Sequence, residues 1–268
     1  MMFARMILAS ECDGCPPIYT LHLRLPRIIW PEMLTHRTMS RNARSSRAVP
    51  VKRMIEEVRN EPFVPWHWQA NKPGMQGGEP LGDHVTSLCR DEWRDAAQAA
   101  AFNAEVLSNF GVHKQNVNRI LEPFMWIDAL VTATEWDGFL ALRDHDDAEP
   151  HLRDLAKMIR KAINEAEAQQ LAAGEWHMPY VTDVERAGLC QDHCLDLSAV
   201  RCARISYAPF NGQDDMASEQ ARVGKLKGSP LHASPFEHQA MADPSTSWPG
   251  RHRNFSQWAQ YRAVVEAA

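Results

Sequence analysis

Several features that would assign this chain to a common protein class are missing from its sequence. No apolar run approaches the roughly 20 residues needed to span a bilayer, and the apolar stretch near the N-terminus is too short for a secretory signal. We therefore expect no membrane partner and a cytoplasmic location. The six cysteines among 268 residues are too few for a disulfide scaffold. The chain also lacks the phosphate-binding P-loop, the dinucleotide-binding glycine pattern and the H-E-x-x-H zinc motif.

The composition is typical of an ordinary globular protein. Hydrophobic residues make up 44% of the chain and charged residues 24%, enough apolar surface for a sizeable core. The net charge of -5 argues against bulk binding of nucleic acid, although a local basic patch could still bind it. We see no internal repeat and no low-complexity tract.

Two groups of metal-ligating residue types leave a zinc site as an alternative. Cys12 and Cys15 form a C-x-x-C pair, and Cys190, His193 and Cys194 cluster far downstream. Their separation fits no standard zinc finger. Ordinary buried or surface thiols are the simpler interpretation, so we predict no metal.

The most informative stretch runs from Leu34 to Val51. Between His36 and Arg53 no acidic residue interrupts the cations, which are Arg37, Arg41, Arg44, Arg47, Lys52 and Arg53. Small hydrogen-bonding residues separate the arginines, so an anion can approach the backbone. Guanidinium groups beside hydroxyls and free N–H groups suit a phosphate. The alternatives are a solvated basic loop and a nucleic-acid patch.

Hydrophobic periodicity predicts a mixed set of strands and helices. Tyr19–Leu25 alternates as a strand with one buried face would, and Pro26 ends it. We predict helices at Ile28–Leu34, Asp91–Phe110, Asn116–Arg143 with a break at Pro123, His151–Ala173 and Asn254–Ala267. Leu197–Tyr207 is typical of a short helix or strand. A boundary is expected at Gly174–Pro179 and a linker-like run at Gly224–Pro244.

One long stretch is predicted to be irregular but ordered. Glu61–Leu81 contains four prolines and three glycines, and loops of this length in a compact domain are usually functional or disordered. Its aromatic residues indicate an ordered loop that covers something. Trp66, His67 and Gln69 are candidates for ligand contact, and hydrophobic anchoring of the loop is an equal alternative.

Five separated motifs resemble those of the flavin-dependent thymidylate synthase (ThyX) family. His36-Arg37, seven residues and then Ser45-Ser46-Arg47 resembles the signature R-H-R, seven residues, S-x-R. NRILEP at 118–123 and FLALR at 139–143 resemble two further family motifs. LSAVRCARISY at 197–207 and HASPFEH at 232–238 resemble A-A-R-x-S-[FY] and H-x-[ST]-P-F-E-H, which precede the signature in the family. The order here therefore implies a circular permutation, which is tolerated where termini lie close together.

The resemblance implies an α/β (α+β) fold, a mixed or antiparallel sheet packed with helices, in one catalytic domain over residues 1–268. Its signature and helical part would span 19–173 and its permuted segment 195–268. It implies a homotetramer with active sites at subunit interfaces. It implies FAD as cofactor, with NADPH and methylenetetrahydrofolate as co-substrates.

The resemblance also implies a role for each matched residue. The residues along the FAD would be His36, Arg37, Asn42, Ser206, His232, Ser234 and Glu237. The residues that bind a pyrimidine deoxynucleotide monophosphate would be Glu32, Ser45, Ser46, Arg47, Arg119 and Arg143, with Arg119 supplied by a neighbouring subunit. Arg143 would be catalytic, because a fixed guanidinium stabilises negative charge on the uracil ring. Taken alone, an arginine at the end of an apolar segment usually pairs with a nearby carboxylate such as Asp144.

Several positions depart from the family pattern. Thr35 stands where the family has the first arginine of its signature, and Glu32 replaces a glutamine. Ala43 replaces a glutamate and Ala48 a tyrosine. Thr134 and Gly138 stand where the family usually offers asparagines to the flavin. A carboxylate at Glu32 favours an amino group, such as N4 of cytosine or an amine on a pterin.

The leading functional prediction is thymidylate synthase-like one-carbon transfer from methylenetetrahydrofolate to dUMP. Alternatives within the family are a dUMP or dCMP hydroxymethylase and a different flavin reaction. A non-catalytic nucleotide- or nucleic-acid-binding protein with the same fold is the alternative outside enzymology.

Overall fold

The computed structural model describes residues 1–212, 215–245 and 249–267. Within these ranges the strands are β1 (Phe3–Glu11), β2 (Ile18–Pro26), β3 (Ser40–Ala43), β4 (Trp126–Ala133), β5 (Gln169–Gln170), β6 (Trp176–His177), β7 (Ala240–Ala242) and β8 (Trp258–Gln260). The α-helices are α1 (Trp30–Met33), α2 (Val51–Asn60), α3 (Asp83–Asn109), α4 (Lys114–Val117), α5 (Asp137–Arg143), α6 (Pro150–Asn164), α7 (Asp183–Gly188), α8 (Gln191–Ala203), α9 (Met216–Leu226) and α10 (Tyr261–Val265).

The strands form two mixed or antiparallel sheets. The main sheet has the order β3-β4-β2-β1-β5, and the smaller sheet has the order β6-β7-β8. β4 pairs with β2 along the whole length of β4, from Tyr19↔Ala133 to Pro26↔Trp126. These sheets are packed with helices, in agreement with the predicted α/β fold class.

β2 confirms the predicted strand but buries both of its faces. Leu21, Leu23 and Leu25 are fully buried on one face, as the alternation predicts. On the other face Thr20 is 0% exposed and His22 is 7% exposed, so that face is not solvated. Both residues make hydrogen bonds there, which removes most of the cost of burying them.

The predicted helical region Asn116–Arg143 is wrong in its centre, whereas α4 and a 3-10 helix at Asn118–Phe124 form its start. Its central part is β4, an interior strand of the main sheet, and only Asp137–Arg143 is helical beyond it. Seven of the eight residues of β4 are buried. A strand covered on both faces gives a continuous apolar run, and periodicity alone cannot distinguish such a run from a buried helix.

The other helices agree with the sequence in position and differ at their ends. α3 begins eight residues before the predicted start at Asp91 and ends close to the predicted terminator Gly111, whose φ of 78° is easy for glycine. α6 ends at Asn164 rather than Ala173. α8 covers the first part of Leu197–Tyr207 and establishes it as helix.

The C-terminal part is more regular than predicted. The Gly224–Pro244 run is no linker, because it contains the end of α9, a 3-10 helix at Ser234–Glu237 and β7. The expected boundary at Gly174–Pro179 contains β6. Asn254–Ala267 is not one helix, since β8 occupies its middle and only Tyr261–Val265 is helical.

A line of buried polar side chains joins the two sheets. His177 of β6 bonds Ser10 Oγ through Nδ1 at 2.7 Å and Thr20 Oγ1 through Nε2 at 2.8 Å. Thr20 then bonds Thr132 at 2.7 Å, and Thr132 bonds His238 Nδ1 at 2.8 Å. Both imidazoles are fully buried, so each depends on these hydroxyl partners.

The cysteines are free thiols in separate places. Cys12 and Cys15 flank the β1–β2 turn, while Cys190 and Cys194 lie at the start of α8. Within the described ranges no group of three or more histidine, cysteine, aspartate or glutamate side chains could hold a metal ion. Likewise, no helix in the described part of the chain is long and apolar enough to cross a membrane.

The buried histidines should make stability depend on pH. Burial lowers the pKa of His177 and of His238 to about 3, whereas an unfolded histidine titrates near about 6.5. Below that pH the unfolded state binds protons that the native state excludes, so the free energy of unfolding falls as the pH drops from about 6.5 toward 3. The expected slope is at most about 1.4 kcal/mol per pH unit for each histidine.

Urea unfolding followed by circular dichroism at several pH values between about 7.5 and 5 measures this slope. His238→Asn should reduce it by about half, since it removes one of the two imidazoles whose pKa is lowered to about 3. His84→Asn, at an exposed position, is the matched control. An unchanged slope in His238→Asn would contradict the prediction.

Candidate active site

The basic stretch Leu34–Val51 crosses from one face of the main sheet to its edge. It begins after α1, forms β3 in its middle and ends where α2 begins. β3 pairs antiparallel with β4, from Ser40↔Thr132 to Ala43↔Ala129. The stretch is therefore not only a loop, because a regular strand fixes its centre and divides its polar side chains into two groups.

The first group, the Arg143 cluster, consists of Glu32, Thr35, His36 and Arg143. Arg143 Nη1 donates to Glu32 Oε2 at 2.7 Å, Nε donates to His36 Nε2 at 3.1 Å, and Nη2 lies 3.5 Å from Thr35 Oγ1. Thr35 donates its own hydroxyl proton to the Glu32 carbonyl at 2.7 Å. Asp144 instead pairs with Arg160 at 2.6 Å, so the expected Arg143–Asp144 pair is absent.

His36 is held as a neutral imidazole in this cluster. Because Nε2 accepts a hydrogen bond from Arg143, its proton must lie on Nδ1. Desolvation lowers the pKa of His36, and the positive charges of Arg143 and Arg41 lower it further. The ring also packs edge-on against Phe139 of α5, with centroids 4.9 Å apart. The neutral imidazole therefore positions the guanidinium through a hydrogen bond and adds no second positive charge beside it.

Arg41 holds the backbone that carries this cluster. Its guanidinium donates to the carbonyls of Met33 and Leu34 at 3.4 and 3.2 Å and also to the carbonyl of His36. Three carbonyl groups at the end of α1 are thereby satisfied by one side chain. Sequence reasoning counted Arg41 only as one of several cations and missed this positioning role.

Two members of the Arg143 cluster, Glu32 and Arg143, line a polar cavity of about 530 Å³. The side chains and backbone that line it are Glu32, Gln69, Lys72, Met75, Gln76, Gly77, Arg143, Asp146, Asp147, Ala148, Glu149, Pro150 and Arg153. A cavity of this size accommodates a small-molecule ligand. Five lining residues come from Glu61–Leu81, which confirms that this loop covers something.

The loop is anchored by its aromatic residues and contributes its tip to the cavity. Trp66 Nε1 donates to Asp154 Oδ2 at 2.8 Å, and His67 Nε2 bonds the same oxygen at 2.7 Å. Backbone bonds between Ala70 and both Glu79 and Gly78 hold the tip as a narrow hairpin. Trp66 and His67 are therefore anchors, whereas Gln69 faces the cavity.

The second group, the Ser45 cluster, consists of Ser45, Ser46, Arg47 and Arg119. Ser46 Oγ and Arg119 Nη1 both donate to Glu122 Oε1, each at 2.9 Å. This shared carboxylate brings Arg119 beside the Ser45–Arg47 turn of its own chain, and its contribution to a neighbouring subunit's site stays a prediction. Glu122, which lies within the NRILEP motif, was not identified from the sequence.

The turn of the Ser45 cluster is fixed by hydrogen bonds, with Ser46 buried and Arg47 exposed. Ser45 Oγ accepts the backbone N–H of Arg47 at 3.3 Å, and Asn118 donates to the carbonyls of Ser46 and Val49 at 2.6 and 3.1 Å. Arg47 is exposed and makes no ion pair with any residue in the described ranges. A cation beside a hydroxyl on a fixed turn suits an oxyanion.

The segment 195–268 meets the basic stretch on the side of β3. Ser45 N donates to the Ser206 carbonyl at 3.0 Å, and the Ser234–Glu237 turn packs against β3. Gln260 Nε2 donates to Ser40 Oγ at 3.1 Å, which fixes β8 to β3. Residues more than 150 positions apart are thus neighbours, as the motif comparison implies.

The proposed flavin residues show a donor set that fits an anionic dinucleotide. Arg37, His232 and Ser234 are exposed, and Arg37 has no ion-pair partner within the described part of the chain. Asn42 is 5% exposed, and its Oδ1 has no hydrogen-bond partner, so it offers a buried acceptor. Glu237 pairs with Arg262 and does not carry an uncompensated charge into this region.

The departure at Thr134 has a structural explanation. Thr134 Oγ1 accepts the backbone N–H of Ser256 at 3.0 Å, so its hydroxyl serves the docking of the C-terminal segment. Gly138 lies in the first turn of α5 with open space where a Cβ would stand. Neither position presents the amide group that the family usually offers there.

The Arg143 and Ser45 clusters are separate in the chain as described. No hydrogen bond or ion pair among the described residues connects a member of one cluster to a member of the other. One contains the groups suited to a heterocycle, and the other contains those suited to an oxyanion.

No protein-family profile and no curated protein matches this sequence. Similar solved structures include a UMP/dUMP methylase, PolB, from Streptomyces cacaoi, bound with 5-Br UMP (TM-score 0.50, 15% identity, 62% of this chain and 89% of that chain). Its complex with 5-Br dUMP gives a TM-score of 0.51 at 14% identity over 62% and 90%. Thymidylate synthase X from Helicobacter pylori with FAD and dUMP gives 0.38 at 17% identity over 55% and 67%, too low to support an argument.

The likeness to PolB concerns the fold alone, and together with the two helix-packed sheets it confirms the predicted α/β fold class. The circular permutation and the division into parts at 19–173 and 195–268 stay predictions.

The Arg143 cluster gives a direct test of its geometry. Arg143→Gln removes a positive charge beside His36, so the pKa of His36 should rise part of the way toward its ordinary value, burial remaining as the larger cause. An NMR titration of the His36 Cε1 proton measures this shift.

Arg153→Gln is the control, because it removes a cation from the same cavity wall where Arg153 pairs with Asp146. It should leave His36 unchanged. An identical His36 titration in wild type and Arg143→Gln would show that the contact is not made in solution.

Proposed function

We propose that this protein is a flavin-dependent enzyme that transfers a one-carbon unit to C5 of a pyrimidine deoxynucleotide monophosphate. The observation that carries the proposal is the guanidinium of Arg143, fixed by Glu32 and His36 on the wall of a polar cavity. The motif resemblance supports it, as does the similar fold of a UMP/dUMP methylase.

Arg143 would be the catalytic group. Reaction at C5 of the pyrimidine requires that negative charge developing on the ring oxygen and N3 be stabilised as C5 becomes nucleophilic. A guanidinium that is already held in place stabilises such charge without reorganising during the step. Its side chain is only 15% exposed, which strengthens the interaction with the ring.

The Ser45 cluster would bind the nucleotide phosphate. Arg47 is exposed and free of ion pairs with described residues, and the Ser45 and Ser46 hydroxyls lie beside it on a turn fixed by Asn118. Arg119 lies close enough to assist, although it must share its guanidinium with Glu122. Hydroxyls and bidentate guanidinium groups are the usual ligands of a phosphate dianion.

The FAD would be held by the donor set around β3. The residues concerned are His36, Arg37, Asn42, Ser206, His232, Ser234 and Glu237. When bound, FAD would supply reducing equivalents, with NADPH as reductant and methylenetetrahydrofolate as one-carbon donor. The residues of this chain bind and orient it, and the Glu61–Leu81 loop excludes water from the adjacent cavity.

The complete site would form between subunits of a homotetramer. The Arg143 cluster and the Ser45 cluster share no contact within the described chain, yet base and phosphate of one nucleotide need both. Pairing the Arg143 cluster of one subunit with the Ser45 cluster of its partner satisfies both needs. In this arrangement Arg119 acts with the turn of its own chain.

The substrate implied by the resemblance is dUMP, with a methylated product. The carboxylate of Glu32 favours a second candidate, dCMP, because an acceptor-only group suits an exocyclic amine. A hydroxymethylated product would result if water intercepted the one-carbon adduct before reduction. A non-catalytic nucleotide-binding role is the remaining alternative.

The first test is the flavin. The purified protein, or the protein incubated with FAD, should be yellow, and NADPH should bleach the flavin absorbance. Incubation with methylenetetrahydrofolate and C5-tritiated dUMP or dCMP should then release tritium to water. A colourless protein that takes up no FAD would exclude the flavin-dependent function and leave the binding-protein alternative.

The second test concerns the phosphate. Arg47→Ala removes a charge-assisted hydrogen bond of about 1.5–3 kcal/mol, so nucleotide affinity should fall at least about tenfold while FAD remains bound. Arg59→Ala is the control, because Arg59 lies farther along α2 and pairs with Glu105 of α3. Isothermal titration with dUMP and flavin absorbance measure the two affinities. Equal loss of nucleotide and FAD would mean that the turn does not separate the two ligands.

A further inference from the structure

The Glu32–Arg143 pair presents an ordered hydrogen-bonding edge to the cavity. Nη1 of Arg143 is bonded to Oε2 of Glu32, whereas Oε1 of Glu32 has no hydrogen-bond partner among the described residues. Glu32 is 38% exposed at its side chain, and both residues line the cavity. Oε1 is an acceptor only, and the remaining N–H groups of Arg143 are donors only. From Glu32 to Arg143 the pair therefore offers one acceptor and then donors.

We propose that this edge selects cytosine over uracil as the base of the nucleotide, an inference that rests on the proposed function. Cytosine presents a donor at N4 followed by acceptors at N3 and O2, which complements one acceptor followed by donors. Uracil presents an acceptor at O4, a donor at N3 and an acceptor at O2. Uracil must therefore place a carbonyl oxygen against a carboxylate or leave one of these groups unpaired.

The surroundings of Glu32 keep its carboxylate available. Thr35 donates its hydroxyl proton to the Glu32 backbone carbonyl rather than to the carboxylate. The Nε–H of Arg143 donates to His36 and Nη2 lies against Thr35 Oγ1, so only Nη1 bonds the Glu32 carboxylate, and it does so through Oε2. Glu32 thus keeps one oxygen for a ligand while the other fixes Arg143.

The expected discrimination is large because it rests on mispairing rather than on a lost contact. A site whose buried polar groups are left unpaired by the wrong substrate rejects it far more strongly than a site that only loses apolar contact. With Glu32 partly exposed, water lessens this cost. We expect dCMP to bind at least about tenfold more tightly than dUMP.

The test is isothermal titration of the full-length, FAD-supplemented protein with dCMP and with dUMP. Wild type should favour dCMP, and Glu32→Gln should bring the affinity ratio close to one, because an amide can present either its oxygen or its N–H₂ to the base. Asp137→Asn is the matched control: it removes a carboxylate from the first turn of α5, the helix that carries Arg143, and should leave the ratio unchanged.

Circular dichroism would show whether Glu32→Gln misfolds, and a second variant then provides the same test. Thr35→Arg places another guanidinium beside Glu32, where it would occupy the available oxygen and lower the preference for dCMP. Binding of dUMP as tight as dCMP in wild type would overturn the inference and leave the proposed function standing. Failure to bind either nucleotide would overturn both. An unchanged ratio in both variants would show that another group reads the base.

Discussion

The pairing of β2 and β3 with opposite edges of β4 determines where the chemistry of this chain lies. Both strands run antiparallel to β4, so they are parallel to each other, and the chain between them must return across the sheet. That return carries α1 over the core, where Ile29, Trp30 and Met33 are buried. It ends with His36 beside the helix that follows β4. Glu32 and His36 consequently meet Arg143, 107 or more residues away along the chain.

The sequence was sufficient where one local rule decided the structure. Tyr19–Leu25 alternates with period two and is a strand, and α3 ends near a glycine with positive φ. It was insufficient where burial on both faces removed the periodicity, as in β4. It also failed at β6, β7 and β8, because strands of two or three residues are stabilised by partners distant in sequence rather than by their own pattern.

The candidate site was likewise predictable only in part. The motif spacing grouped His36, Arg37, Ser45 and Arg47 in one stretch, but spacing does not show that β3 separates the first pair from the second. The partner of Arg143 was not predictable from local sequence, since Asp144 is adjacent in the chain yet directed to Arg160. Glu122 was missed because a carboxylate within a basic site signals nothing until its position beside Ser46 is known.

His177 makes the two sheets a single cooperative unit. The imidazole belongs to the small sheet, but both of its nitrogens bond hydroxyls of the main sheet. If the small sheet detached, the His177 imidazole could bond water instead. The hydroxyls of Ser10 and Thr20 would lose the hydrogen-bond partner that they have in the interior. Local opening of the C-terminal segment is therefore costly. The protein is therefore expected to unfold in one transition, without a populated state in which the small sheet has detached and the main sheet is still folded.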